Sequence, residues 1–344
     1  MKSGNIKKAW KRFADIDELM LIVALVVIMI IMSVMSEYFF TGKNMMNVLR
    51  QSSTTLIAGI GMTILMLVGE VDLSIGSLMA LSAVIMVDIM NATQNIFLGV
   101  IAALALGVAV GLFNALIVTK FNINSLIVTL GMMISLRGIA YIYTDAIAVQ
   151  NTVSAFTQVG TGYLGPLPIP VVIAIIVFAA CFFMRKYTTF GRYIYASGDN
   201  TYAAIASGIN VKKIKIITFV MCSIFAVISG IILTARVNSG QPNLADGFEF
   251  TVIAAVILGG TSLNGGQGTL IGTLVGVLIL GVLDNGLVLN DVSSFWQDVL
   301  RGAVIILAVI IDTKRTQKRE KVSRMMIEKD LNKAGPGLEV EYES

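Results

Sequence analysis

Ten apolar runs, separated by short polar or glycine-rich stretches, organise the chain: Leu19–Met35, Thr55–Gly69, Ser74–Met90, Ile96–Val118, Ser125–Tyr143, Ile169–Met184, Ile214–Ala235, Phe250–Gly260, Gly268–Leu283 and Phe295–Ile311. A helix rises 1.5 Å per residue, so about 20 residues are needed to cross a hydrocarbon core of roughly 30 Å. The second, third, eighth and ninth runs fall short of that. Glycine-rich breaks lie beside them, which predicts broken or re-entrant helices. The pattern predicts an all-α polytopic membrane bundle of about ten transmembrane segments that fills residues 19–311 and leaves no room for a soluble domain.

The flanks are polar. In residues 1–18, Ile6, Trp10 and Phe13 recur at helical spacing opposite Lys7, Lys8 and Lys11, the pattern of a short amphipathic helix lying on the membrane surface. No A-x-A site follows the first apolar run, so that run reads as an uncleaved first helix. Residues 312–344 carry the basic run KRTQKREKVSRMMIEKD, a solvated or lipid-facing tail. Of the 25 Lys and Arg, 20 fall in the first 18 residues, at Lys120, between Arg185 and Lys215, or in the tail. By the positive-inside rule an even number of spans then places both termini in the cytoplasm.

Composition sharpens this reading. Hydrophobic residues make up 56% of the 344 and charged residues only 13%, against about 25% in soluble domains. Mean hydropathy is +0.85. The net charge of +4 is the loop asymmetry itself and, without interleaved aromatics, no nucleic-acid footprint. Cys181 and Cys222 sit inside apolar runs and read as small buried residues. Histidine is absent, which removes the commonest metal ligand and general base; no catalytic residue, metal or cofactor is predicted. There is no G-x-x-x-x-G-K-[ST] loop, so any ATP drive must come from a partner. A Ser–His pair is impossible and no paired G-x-G-D-type aspartates occur, which disfavours an intramembrane hydrolase.

The polar segment 185–213, RKYTTFGRYIYASGDNTYAAIASGINVKK, is far longer than a bare connection of about 2–8 residues. Asp199 or Asn200 is placed to cap a helix over Tyr202–Ser207, with Ala203 and Ala204 on a small-residue face and Gly208 as its stop. An insertion of this kind is either a docking surface for another protein or a loop folded against its own spans.

The runs GRYIYASGDNTYAAIASGINVKKIKI, ARVNSGQPNLADGFEFTVIAAVILGGTSLNGGQGTLIGTLVG and GEVDLSIGS resemble the membrane-spanning permeases of ribose-type ABC sugar importers, over most of residues 54–312. The resemblance implies a ten-span subunit of the bacterial plasma (inner) membrane, paired with a second permease copy, either identical or homologous. It implies contact with a cytosolic ATP-binding subunit through the loop that carries Gly191, Arg192, Asp199, Asn200, Tyr202, Ala203, Ala204, Ser207 and Gly208. It also implies that an extracytoplasmic sugar-binding protein delivers the substrate. The tail beyond Asp312 is longer than such permeases commonly carry. A rival reading is an ion-coupled secondary transporter, which would work alone and need a charged site at mid-membrane.

Four further features ask for a structure. In GEVDLSIGS, Asp72 and Ser74 could cap the helix that follows a break while Glu70 and Asp72 meet protein-lined water; contact with the sugar and simple exposure are the alternatives, and Gly76 belongs to the same stretch. Gly268, Gly272 and Gly276 form a four-residue stripe suited to close helix packing. Gly69, Gly76, Ser77 and Leu78 echo Gly260, Gly268, Thr269 and Leu270 as a weak internal repeat. Among embedded charges, Asp298 and Arg301 can pair along one helix, and Arg137 needs a partner from elsewhere, Asp88 or Asp145.

Overall fold

The computed structural model describes residues 3–307, 309, 310, 312–314 and 317, the first sixteen by backbone alone. Most of the basic tail, and the side chains of Ile6, Trp10 and Phe13, therefore lie outside the described residues. The chain is a helical bundle: α1 (Ser3–Met35), α2 (Gly42–Leu67), α3 (Ile75–Thr93), α4 (Ile96–Phe121), α5 (Ser125–Thr144), α6 (Thr157–Thr161), α7 (Ile169–Tyr187), α8 (Thr189–Asp199), α9 (Thr201–Ala206), α10 (Val211–Val237), α11 (Phe248–Leu258), α12 (Leu270–Leu289) and α13 (Ser294–Lys314). Among the described residues, strand content is confined to two-residue pairs, β1 (Val149–Gln150) with β4 (Ser239–Gly240), and β2 (Tyr163–Leu164) with β3 (Leu167–Pro168).

Among the described residues, seven helices are long and apolar enough to cross a membrane: α3, α4, α5, α7, α10, α12 and α13. All ten apolar runs overlap helices. Two expectations about length are corrected. The second, third and ninth runs belong to helices of 26, 19 and 20 residues, and only α11, with 11, is short. Helix α2 begins at Gly42 because the polar stretch ahead of its apolar run is helical and folded inward: Thr41 caps it, Asn44 exchanges reciprocal amide hydrogen bonds of 2.8 and 2.9 Å with Asn285 of α12, and Ser52 and Ser53 are buried. No separate amphipathic helix precedes the first apolar run either; α1 is continuous from Ser3, with neither glycine nor proline after Gly4 to break it.

At the centre, α2, α3, α10, α11 and α12 pack through small residues. A Cβ on Gly61 would lie 3.0 Å from the Cα of Cys222, and one on Gly111 of α4 would lie 2.9 Å from the Cα of Val220. Because lipid chains compete with any merely apolar surface, such close approach and the hydroxyl contact between Thr63 of α2 and Thr273 of α12 (2.6 Å) hold the bundle together.

Candidate functional site

One end of the bundle carries α8 and α9. Thr188 caps α8 by accepting from the Gly191 amide (3.2 Å), and the buried face Gly191, Ile194 and Ser197 seats the helix, leaving Arg192 and Tyr193 exposed. Asn200, not Asp199, caps α9, accepting from the Ala203 amide at 2.9 Å; Asp199 ends α8. Helix α9 covers Thr201–Ala206 with Ser207 as C-cap, and Gly208 takes φ +82°, which only glycine adopts without strain. Of the small face, Ala204 is turned inward at 4% exposure, while Tyr202 at 87% and Ile205 at 57% face outward.

This pair of helices is fused to two helix ends. The chain after α2 and the chain after α11 both stop at a glycine with positive φ, Gly69 and Gly260. The next amide in each bonds five residues back, Glu70 to Leu65 and Thr261 to Val256, the same left-handed cap in both places. The likeness ends there: Gly76 lies inside α3 and Gly268 in a loop, where Thr269 caps α12 through the Gly272 amide. The two breaks touch, since the Gly266 amide donates to the Leu67 carbonyl at 2.9 Å. Gly198 of α8 lies on both: a Cβ there would overlap the Leu67 carbonyl and stand 2.6 Å from the Gly266 nitrogen. Tyr195 donates to the Gly268 carbonyl (2.7 Å) and accepts from Arg185 (2.9 Å).

The acids of Gly69–Ser77 are both buried. Glu70 pairs with Lys215 of α10. Asp72 is fully buried, and its Oδ1 accepts from the Ser74 amide (2.8 Å) and hydroxyl (2.5 Å); Asn114 of α4 donates to that hydroxyl at 3.1 Å. Ser74 is the N-cap of α3 but makes no side-chain cap bond, so Asp72 fixes the turn ahead of the helix rather than the helix amides. Asp72→Asn keeps the Oδ1 acceptor and Asp72→Ala does not. Thermal unfolding in detergent should show the alanine variant less stable by about 1–3 kcal/mol than the asparagine variant, the cost of a stranded buried donor.

A cleft of about 670 Å³ lies between α5, α11 and α13, lined by Arg137, Asp246, Glu249, Phe250, Asp298 and Arg301 among others. A smaller cleft of about 280 Å³ shares Asp246, Thr251 and Arg301 and adds Arg236 and Asp284. The pairing of Asp298 with Arg301 is present at 2.9 Å, and Arg301 also reaches Asp284 at 3.3 Å. The partner of Arg137 is neither Asp88 nor Asp145. Arg137 bonds the carbonyls of Pro242 (2.8 Å) and Leu244 (2.9 Å) and pairs with Asp246 at 3.7 Å. Asp88 accepts from Tyr143 (2.5 Å) and Asp145 ends α5 with positive φ. Gly268 leaves the packing stripe; Gly272 and Gly276 remain in it, against Ala255 of α11 and Gly259, the residue after its end.

Residues 44–309 match the family described as branched-chain amino acid transport system / permease component. The ribose import permease protein RbsC of Escherichia coli (strain K12) is 45% identical over 86% of this chain and 93% of its own length. The chain belongs to the ribose-type ABC sugar importer permease family. The ribose permease of Haemophilus influenzae is 40% identical over 84% of the chain and 91% of its own length, and the L-arabinose ABC transporter permease protein AraH of Azospirillum brasilense is 38% identical over 82% and 83%. No solved structure matches. The permease is thus a multi-pass inner-membrane transport subunit and not itself an enzyme. One signal in its sequence did point to the clefts. Outside the terminal segments, Lys120 and the stretch 185–215, the chain's Lys and Arg are Lys43, Arg50, Arg137, Arg236 and Arg301, and three of those arginines line the clefts.

Proposed function

We propose that the permease is the membrane subunit of an ATP-driven monosaccharide importer, a bundle of about ten spans over residues 19–311 with both termini cytoplasmic. The observation that carries the coupling is the seat of Gly198 on the Leu67 carbonyl and the Gly266 amide, so that any push on α8 acts on both helix breaks at once. A cytosolic ATP-binding subunit supplies the push by docking on segment 185–213, and the exposed Arg192, Tyr193, Tyr202 and Ile205 are the side chains it meets. Lys186, Lys212 and Lys213 lie in or beside the same segment, which supports a cytoplasmic placement. An extracytoplasmic binding protein delivers the sugar at the opposite end, and a second permease copy completes the path. The sugar assignment follows the named relatives, which are ribose and L-arabinose permeases.

The test is reconstitution in proteoliposomes. Uptake of a monosaccharide should require this chain, its ATP-binding subunit, its binding protein and ATP together. Uptake by the chain alone on an imposed ion gradient would establish the secondary-transporter reading instead.

A further inference from the structure

We infer that the larger cleft holds a monosaccharide subsite in which Glu249 accepts a sugar hydroxyl, with Arg137 and Phe250 completing it. The inference rests on the sugar reading above and adds a specific place of contact within the membrane subunit.

Glu249 stands in the first turn of α11, where the helix dipole favours a negative charge, and lies beside the first turn of α3. It is 3% exposed, it lines the cleft, and its Oε2 has no hydrogen-bond partner among the described residues. Buried carboxylate oxygens are ordinarily satisfied, because an unmade hydrogen bond to a charged group is costly in a low-dielectric setting. The oxygen lies against Gly76, where a Cβ would overlap it, and the neighbouring Ser77 is part of the cleft wall. A donor that enters the cleft supplies the missing partner.

The rest of the wall says what kind of donor. Arg137 is held rigidly by the Pro242 and Leu244 carbonyls and by Asp246, so its guanidinium is a preorganised donor on the same cleft as an acceptor-only carboxylate. A vicinal diol, each of whose hydroxyls both donates and accepts, satisfies such a pair. Phe250, 46% exposed, offers a ring face to the C–H side of a pyranose or furanose. Of the remaining charges, Asp298 and Arg301 already pair with each other. At about 670 Å³ the cleft falls within the range of small-molecule sites, roughly 300–1,000 Å³.

The full-length chain in nanodiscs decides the matter without partners. Thr251 lines both clefts, and Thr251→Cys provides a handle for a small thiol reagent, the two native cysteines being buried. D-Ribose, L-arabinose or D-xylose at saturation should slow its labelling, and Glu249→Gln in the same background should raise the half-protecting concentration about tenfold or more. Protection by none of the three sugars overturns the inference. So does equal protection with and without Glu249→Gln. A Glu249→Gln complex that loses ATP-driven uptake while sugar protection is unchanged would give the carboxylate to helix movement and equally overturn it. Should that variant fail to fold, Arg137→Gln read by the same labelling makes the same decision. Failure of the sugar reading itself is separate: the wild-type complex would then import no monosaccharide at all.

Discussion

Gly272→Leu is expected to unfold the permease or leave it markedly less stable, with Gly281→Leu the milder change. Gly259 of the segment ending α11 and Gly272 of α12 face each other with no side chain between: a Cβ on either would strike the other's carbonyl, and one on Gly276 would strike the Ala255 carbonyl. Both obstacles are backbone, and the helices must separate to admit a leucine. Overpacking of this kind costs about 1–3 kcal/mol in soluble cores. It acts here on a contact that depends wholly on close approach, because lipid offers the separated helices an equally apolar surface. At Gly281 the obstacle is the Ser52 hydroxyl, the end of a side chain that can rotate away. Melting temperature in detergent measures the difference. Equal melting temperatures for the two variants would show that α11 and α12 part easily, and the packing role of Gly272 and Gly276 would fall with them.

The second large effect should leave the fold alone. Tyr202→Asp is expected to reduce ATP-driven uptake at least about tenfold while the melting temperature stays at that of the unaltered chain. An 87% exposed tyrosine contributes little to the permease's own packing, yet tyrosine is among the residues whose loss at the centre of an interface is most damaging. Ala204, on the small face of the same helix, is the wrong place for this test: it is buried, and a bulky charge there would unseat α9 from its own protein. Uptake and ATP hydrolysis by the reconstituted complex are the measurements. Undiminished uptake by Tyr202→Asp would remove α9 from the docking surface.

The sequence by itself determined the features whose causes act over a few residues. Apolar runs long enough to matter fall on helices because burial in lipid rewards any continuous apolar stretch, whatever surrounds it. Asn200 and Gly208 bracket α9 because a cap bond spans three residues and a left-handed stop needs only one glycine. Asp298 and Arg301 pair because they lie three apart on one helix.

The tertiary structure alone decided the rest. The polar half of α2 reads as a connection until Asn285, 241 residues away, is seen to pair with Asn44. Glu70 looked like an acid bound for water, but Lys215, 145 residues further on, takes it into an ion pair. Arg137 is anchored by carbonyls more than a hundred residues away, and backbone acceptors leave no trace in side-chain identity. The glycines at 198, 265 and 266 are unremarkable in sequence and become a junction only because three chain segments approach too closely for any Cβ. Local patterns fix where helices start and stop, since hydrogen bonds along the chain are short-range. Partners of buried charges, and the clefts between helices, depend on which faces meet, and that is a property of the assembled bundle.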